Sequence, residues 1–394
     1  MLRLFALCLL TMLMSCTQDK ERESIPAKPA SDSNSNTRTR NAAENEPVVR
    51  TESPAWPLGQ DHVEQSLIAA QELSAAVDRL LLTPNIEHLE KAQAAWRKTA
   101  GQLEQLYVFT RLGAVAPQLF QRLLEFQFNL TAWPIQPGYL DSYGEHPYSG
   151  IVFDVGMLVT EESLREQHGM TDRADATLGI YAIEFLLFGE QNNRGPLVFQ
   201  PITVLNDKYR ADGYQDVTEL PRNRRRELLR LQTQILVADL RQLQVQWSDT
   251  QPGQLRYQFE TLPATQQVEL LSKAAIALVT EQLVTLANQQ KPADSLINGN
   301  DLWQNQQLAD RLTAQLTGLS RLHQIQNLGT DVDRQIQSGL ASLAAVINLP
   351  PLTEKGLSTR VNWQDTYAAL RELVRALNPA EQTETPPGET TQEN

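Results

Sequence analysis

The stretch GIYAIEFLLFGE, residues 179–190, is an almost unbroken apolar run with one carboxylate, that of Glu184, set inside it. Apolar residues would lie on every side of a helix formed by this stretch, and a helix that is apolar all round is buried. Tyr181 and Glu184 are three residues apart and share a face of that helix. Because a buried carboxylate must be paired, protonated or bound to a metal, the stretch predicts a core helix that carries either a structural glutamate or a binding site.

Helical patterns continue on the N-terminal side of this run. Residues 61–82 carry apolar side chains at three- and four-residue spacing, the pattern of an amphipathic helix. We expect Thr83 to cap a second helix with Pro84 at its first position, where a missing N–H costs nothing. Pro117 is expected to begin a third helix, and another helix near residues 172–188 contains the opening stretch.

The second half of the chain contains helical patterns of similar length. They cover residues 224–247, 265–289, 306–327, 331–348 and 363–378. Runs of alternating β-branched residues with Asn-Gly or Asp-Gly turns do not occur, so strands are expected to be absent or minor. The sequence therefore predicts an all-α protein made of two four-helix-bundle domains, at residues 57–215 and 216–379.

The N-terminus has the features of a bacterial lipoprotein signal. Arg3 precedes the apolar run LFALCLLTMLM, which is too short to cross a membrane but suits a signal peptide. The run ends in LMSC, which resembles a lipobox, so we expect cleavage after residue 15 and lipid attachment to Cys16. Thr17 follows, as in lipoproteins sorted to the outer membrane. The alternative is an ordinary signal peptide with a chance cysteine.

The segments that flank the helical body are predicted to be unstructured. Residues 16–56 form a tether rich in Ser, Asn, Pro and charge, and residues 380–394 form a polar tail. The formal net charge of −13 argues against nucleic acid as a partner, because phosphates require a basic face. Cys8 lies in the segment that would be removed, so the mature chain has no second cysteine for an intramolecular disulfide.

Several stretches of the chain resemble the imelysin family. GIYAIEFLLFG is similar to the family signature Gly-x-His-x-x-Glu followed by an apolar pair and Gly, with Tyr181 in the place of the histidine. Residues 95–113 resemble the family's early Trp helix, 133–143 its Trp-Pro loop and 347–352 its late Pro turn. The similarity extends over residues 57–378. It implies an all-α fold of two four-helix bundles, an envelope location, a link to iron acquisition and a classification among metallopeptidases.

The resemblance also implies a site where the His–Glu helix meets the Trp-Pro loop. Besides Tyr181, this chain departs from the family at Gln136, where many relatives carry an acid, whereas Glu184 and Asp141 remain. A neutral phenol is a much poorer ligand than imidazole, and a catalytic zinc site usually needs three protein ligands. We therefore expect a degenerate site without peptidase activity. Iron or another divalent metal stays a candidate cofactor, weakened by the loss of the histidine.

Other residues are weaker candidates for this site. His146, with Glu145, could replace the lost ligands if their loop reaches the helix; otherwise the two are an exposed loop pair. Arg111, in an aromatic–Gly turn, is a candidate partner for Glu184, and the Tyr181 hydroxyl could donate to the same carboxylate.

Two further sets of polar residues are expected at the surface. Four histidines are scattered through the predicted helices and loops: His62, His88, His168 and His323. A basic cluster is expected to be the solvated start of a helix rather than a site for an anion or for lipid headgroups: Arg222, Arg224, Arg225 and Arg226.

Three functions follow from these patterns. The first is a non-catalytic binding or accessory lipoprotein, facing the periplasm, with outer-membrane lipid and iron-uptake proteins as partners and a pocket between the bundles. The second is a metallopeptidase with rearranged ligands, which would need His146 or another histidine near Glu184. The third is a structural envelope protein, which a closed interior with Glu184 tied to an arginine would favour.

Overall fold

The computed structural model describes most of the helical body, in the ranges 50–136, 138–144, 146–189, 192–288, 299–348 and 363–378. The predicted signal segment, Cys16, most of the tether, Glu145 and the predicted tail lie outside these residues. Within the described ranges the protein is all-α and contains no β-strand, as predicted.

The helices of the described residues are numbered here in chain order. They are α1 Trp56–Leu82, α2 Ile86–Thr110, α3 Leu112–Val115, α4 Pro117–Thr131, α5 Glu161–Gln167, α6 Ile180–Phe188, α7 Asp207–Ala211, α8 Pro221–Ser248, α9 Leu255–Glu260, α10 Ala264–Asn288, α11 Gly299–Gln326, α12 Thr330–Ile347 and α13 Gln364–Leu377. Pro117 begins α4 as predicted, and the predicted helices of the second half are present as α8 and α10 to α13.

The long helices pack in two groups within one compact unit. In the first group α1 lies along α2 and α8, while α4 and α6 pack against both α2 and α8. In the second group α12 packs against α11 and α13, and α10 packs against α13. Helix α2 also packs against α10 and α11, so it belongs to the interface of both groups. The predicted boundary at residue 216 would place α8 in the second group, but its contacts place it in the first.

The start of α2 differs from the prediction. The helix begins at Ile86, and its N-cap is Asn85, whose side-chain oxygen accepts a hydrogen bond from the His88 backbone N–H at 2.8 Å. Thr83 instead ends α1. Asparagine is a stronger N-cap than threonine because its short side chain reaches the free N–H groups of the first turn well.

The helix that carries the opening stretch is shorter than predicted. Helix α6 begins only at Ile180, and residues 172–179 are not helical. The backbone N–H groups of Thr177 and Leu178 donate to Nδ1 of His168, at 3.2 and 3.3 Å. Gly179 follows with a φ of +94°, a conformation open to glycine and strained for other residues. The side chain of a distant histidine and one glycine therefore fix where α6 begins.

Three arginines of the basic cluster at the start of α8 are structural, so the prediction of a solvated helix start is wrong for Arg224, Arg225 and Arg226. Arg224 and Arg225 are buried. The Arg224 guanidinium donates to four backbone carbonyls of the loop between α4 and α5, those of Ile151, Val152, Asp154 and Met157. Arg226 donates to the carbonyls of Leu81 and Phe199. The cluster holds the loop after α4 in place, and that loop forms one wall of the site.

Candidate functional site

A cavity of about 850 Å³ lies beside α6, between the two groups of helices. Helices α2, α4 and α6 of the first group line it from one side, and α10 and α11 of the second group line it from the other. The segment Trp133–Ile135, which follows α4, forms a further part of the wall. This volume lies within the range typical of sites for small organic molecules.

Tyr181, the residue in the place of the family histidine, forms a hydrogen bond with a residue of α2. Its hydroxyl donates to Oε1 of Glu104 at 2.5 Å. Burial first, and then the charge of Glu104, raise the pKa of Tyr181 well above its usual value, so the phenol keeps its proton. The predicted hydrogen bond from Tyr181 to Glu184 is therefore wrong. The two residues share a helix face, but the hydroxyl reaches across to the neighbouring helix.

Glu104 is the centre of a buried polar network that the sequence analysis missed. Its side chain is 1% exposed, and its second oxygen, Oε2, accepts from Gln315 Nε2 at 2.6 Å. Nε of Arg311 lies 3.5 Å from Oε1 of Glu104. The signal for Glu104 was present in the sequence, because it lies on the apolar stripe of α2 with Ala100, Leu103 and Tyr107.

Arg311 is a buried cation that lines the cavity. Its guanidinium lies 4.6 Å from the ring centre of Trp133 and 5.7 Å from that of Tyr181, so two aromatic rings hold it in place. Burial acts to lower the pKa of Arg311, but the nearby Glu104 carboxylate raises it on balance, and the side chain stays charged. Nε and Nη1 are buried and have no hydrogen-bond acceptor among the residues that the structure describes.

Glu184 lines the same cavity and is half-buried. Its carboxyl group forms no hydrogen bond with any described residue. Loss of water contact raises the pKa of Glu184 to about 8; Arg97 acts against this rise and Asp310 adds to it. The carboxyl group is therefore mostly protonated at neutral pH and can donate a hydrogen bond as well as accept one.

Arg111 lies on the cavity wall but does not pair with Glu184, so that prediction is wrong. Its guanidinium contacts Oε2 of Glu281 at 3.0 Å and donates to Oε1 of Gln127 at 3.1 Å. The Tyr107 hydroxyl donates to Oε1 of Glu281 at 2.7 Å and accepts from Gln127 Nε2 at 2.6 Å. These four side chains form one polar set across α2, α4 and α10, and the charge of Arg111 is balanced by Glu281 within it.

The remaining predicted site residues lie away from the cavity wall. Asp141 is fully buried between Arg194, at 2.6 Å, and Arg225, at 2.5 and 2.9 Å. Burial alone would raise the pKa of Asp141, but its hydrogen bonds and charge pairing with the two arginines lower it on balance. Gln136 and His146 are both exposed. The structure thus brings Tyr181, Glu184 and Arg111 to one cavity and places Asp141, Gln136 and His146 outside it.

The residues of the cavity do not fit a divalent metal. The Tyr181 phenol keeps its proton and donates a hydrogen bond to Glu104, and Glu184 is mostly protonated at neutral pH. Within the described ranges, no three His, Cys, Asp or Glu side chains are grouped as metal ligands would be. Since such sites usually need several deprotonated donors, the donor set here suits an organic molecule better than an ion.

None of the four histidines predicted at the surface is exposed, and His88 is half-buried. His62 is fully buried, and burial lowers its pKa to about 4. His323 is buried too, and its Nδ1 accepts from the Leu328 backbone N–H. His168 is half-buried, with its ring 4.2 Å from that of Phe128. These residues lie outside the cavity lining and have structural roles in the fold.

The all-α fold and the cavity at a Gly-x-Tyr-x-x-Glu helix define a class of helical proteins with a ligand-sized site between two groups of helices. The family model of imelysin matches residues 59–383, so the chain belongs to the imelysin family. A solved structure from Parabacteroides distasonis, provisionally described as an iron-regulated protein A precursor, has a TM-score of 0.51. It is 14% identical and covers 85% of this chain and 96% of its own, a likeness of fold. A search of curated proteins found no match.

Proposed function

We propose that the protein is a non-catalytic binding or accessory protein of the cell envelope, linked to iron acquisition. The observation that carries this proposal is the open cavity at the family motif, where the motif histidine is replaced by Tyr181 and its phenol is bound to Glu104. Family membership and the provisional description of the structural relative support the link to iron.

The geometry favours this proposal over the two rivals. A working metallopeptidase would need a histidine near Glu184, but His146 is exposed and is not part of the cavity wall. A purely structural protein would have a closed interior with Glu184 tied to an arginine. Instead, Glu184 faces an open cavity, and its carboxyl group has no hydrogen-bond partner among the described residues.

Calorimetric titration of the purified protein with ferrous iron, ferric iron and zinc tests the proposal. We expect no micromolar metal binding and no cleavage of unfolded protein substrates, because the described donor set lacks an imidazole and its carboxyl groups are either protonated, at Glu184, or paired with Arg111, at Glu281. Tyr181→Phe is the matched variant, since it removes the hydroxyl and keeps the ring. Micromolar binding that Glu184→Ala abolishes without unfolding the protein would contradict the proposal and restore the peptidase hypothesis.

We propose that acylated Cys16 anchors the protein to the outer membrane, with the body facing the periplasm. The lipobox-like LMSC supports this location. Stable membrane attachment needs more than one acyl chain, which lipidation of the N-terminal cysteine provides. Membrane fractionation of cells with the wild-type protein and with Cys16→Ser checks it. The wild-type protein should sediment with outer membranes and the variant should not; equal sedimentation would show that another segment attaches the protein.

A further inference from the structure

We infer that the cavity beside α6 binds a small organic carboxylate, whose charged group pairs with the guanidinium of Arg311 and whose body packs on the aromatic wall. This inference rests on the proposed binding function and assigns its ligand to a chemical class. Four features of the cavity support it: a buried cation with free donors, a described lining whose acidic groups are paired or protonated, aromatic surfaces and sufficient volume.

The first feature is the state of Arg311. Both oxygens of its neighbour Glu104 already accept hydrogen bonds, one from Tyr181 and one from Gln315. Arg311 donates no hydrogen bond to any residue that the structure describes, although its side chain is only 7% exposed. Buried donors without acceptors are costly, and a guanidinium matches the two oxygens of a carboxylate closely. A ligand carboxylate would supply the missing acceptors.

The second feature is the charge along the cavity wall. Among the described residues, the acidic side chains of the lining are Glu281, which is balanced by Arg111, and Glu184, whose raised pKa keeps it mostly uncharged at neutral pH. Arg173 adds a second cation, with its guanidinium 4.3 Å from the ring centre of Phe128. The wall therefore has a surplus of positive charge, and a protonated Glu184 can donate a hydrogen bond to a ligand oxygen.

The third and fourth features concern the body of the ligand. Aromatic rings cover much of the wall, and the set that lines it is Tyr107, Phe128, Trp133, Tyr143, Tyr181 and Phe185. The volume of about 850 Å³ accommodates a ligand of one or more rings. Flat rings gain dispersion and stacking energy on such surfaces. The ligand class is therefore a carboxylic acid with a flat or apolar body.

Calorimetric titration of the purified protein at neutral pH with 2-naphthoate and with the uncharged 2-naphthamide tests this inference. The two probes share one ring system and differ in charge. We expect naphthoate to bind at least about tenfold more tightly than naphthamide, a typical effect of one charged hydrogen-bonded pair. Arg311→Gln should abolish this preference. Arg122→Gln, the same change at an exposed position of α4 outside the cavity, should leave it intact.

Arg311→Gln leaves the buried charge of Glu104 without its cation, which destabilises the fold. A second pair of variants therefore controls for loss of folding. Glu104→Gln combined with Arg311→Gln removes both charges and should abolish the preference, whereas Glu104→Gln alone should retain it. The inference is overturned if the two probes bind equally, if neither binds, or if the preference persists in the double variant. Equal binding would leave the proposed binding function standing, and the metal titrations test that function separately.

Discussion

The side chain of His168 holds the backbone that precedes α6 through its hydrogen bonds. Its Nδ1 accepts the backbone N–H groups of Thr177 and Leu178, and its Nε2 donates to the carbonyl of Phe128 at 3.2 Å. The ring must be neutral to accept at Nδ1. Burial lowers the pKa of His168 to about 4; the charges of Arg165 and Arg173 lower it further, and the Phe128 carbonyl opposes them.

This pKa predicts how stability depends on pH. The unfolded chain binds the His168 proton near pH 6.5 and the folded protein only near pH 4, so stability is complete above pH 6.5 and falls as pH decreases. From pH 7 to pH 5 the loss from His168 is about 2 kcal/mol of unfolding free energy. Urea denaturation of the wild-type protein and His168→Gln at both pH values measures it. The variant should lose about 2 kcal/mol less than wild type.

His146→Gln is the matched control, since His146 is exposed and its hydrogen bonds with described residues are made by its backbone. This variant should retain the full loss of stability between pH 7 and pH 5. An equal loss in wild type and in His168→Gln would show that the ring does not titrate as its contacts require.

Helix α6 is positioned by its ends and by α2. The Trp96 indole N–H donates to the Ile180 carbonyl at 2.7 Å, and Gln93 Nε2 donates to the Leu187 carbonyl at 3.1 Å. Gly179 precedes the helix, and a Cβ at this position would lie 2.9 Å from the Leu130 carbonyl oxygen. The residue that precedes α6 therefore packs directly on the last turn of α4.

Gly179→Ala should destabilise the protein by about 2 kcal/mol or more, because the new methyl group clashes and the φ of +94° is strained for alanine. Gly101→Ala is the matched change inside α2, where a Cβ would meet nothing within 4 Å. That variant should stabilise by up to about 1 kcal/mol, as alanine favours the helix. Chemical denaturation of both variants measures these values, and a neutral Gly179→Ala would contradict the packing at the start of α6.

The elements were largely predictable from the sequence, and the site only in part. Amphipathic spacing predicted α1, α8 and α10 to α13 because helix periodicity is a local property. Glu104 and Arg311 are 207 positions apart, and no local pattern indicates which residues of α2 and α11 meet. Arg111 and Tyr181 were assigned to the wrong partner for the same reason. Each lies at the cavity, but the contacts across helices decide which carboxylate it binds.

Helix α2 joins the two groups of helices. It packs against α1 and α6 on one side and against α11 on the other. The approach of α11 is close: a Cβ at Gly318 would clash with the carbonyl oxygen of Gln105. The cavity lies between the two groups that this helix joins.

The shared helix predicts that the helical body unfolds in one transition. Melting of either group would expose the apolar surface of α2, so neither group should persist without the other. In differential scanning calorimetry the calorimetric and van't Hoff enthalpies should agree. Hydrogen exchange of peptides from α1 and α12 should report the same global free energy. Two resolved calorimetric peaks would contradict this coupling.

Trp133 gives the cavity an optical property. It is 39% exposed, whereas the other tryptophans with described side chains, Trp56, Trp96, Trp247 and Trp363, are buried. Its indole lies over the Arg311 guanidinium on the cavity wall. A dissolved quencher such as acrylamide will therefore reach this indole far more readily than the buried four. A molecule that fills the cavity would shield it, so the protein carries its own fluorescent reporter of occupancy.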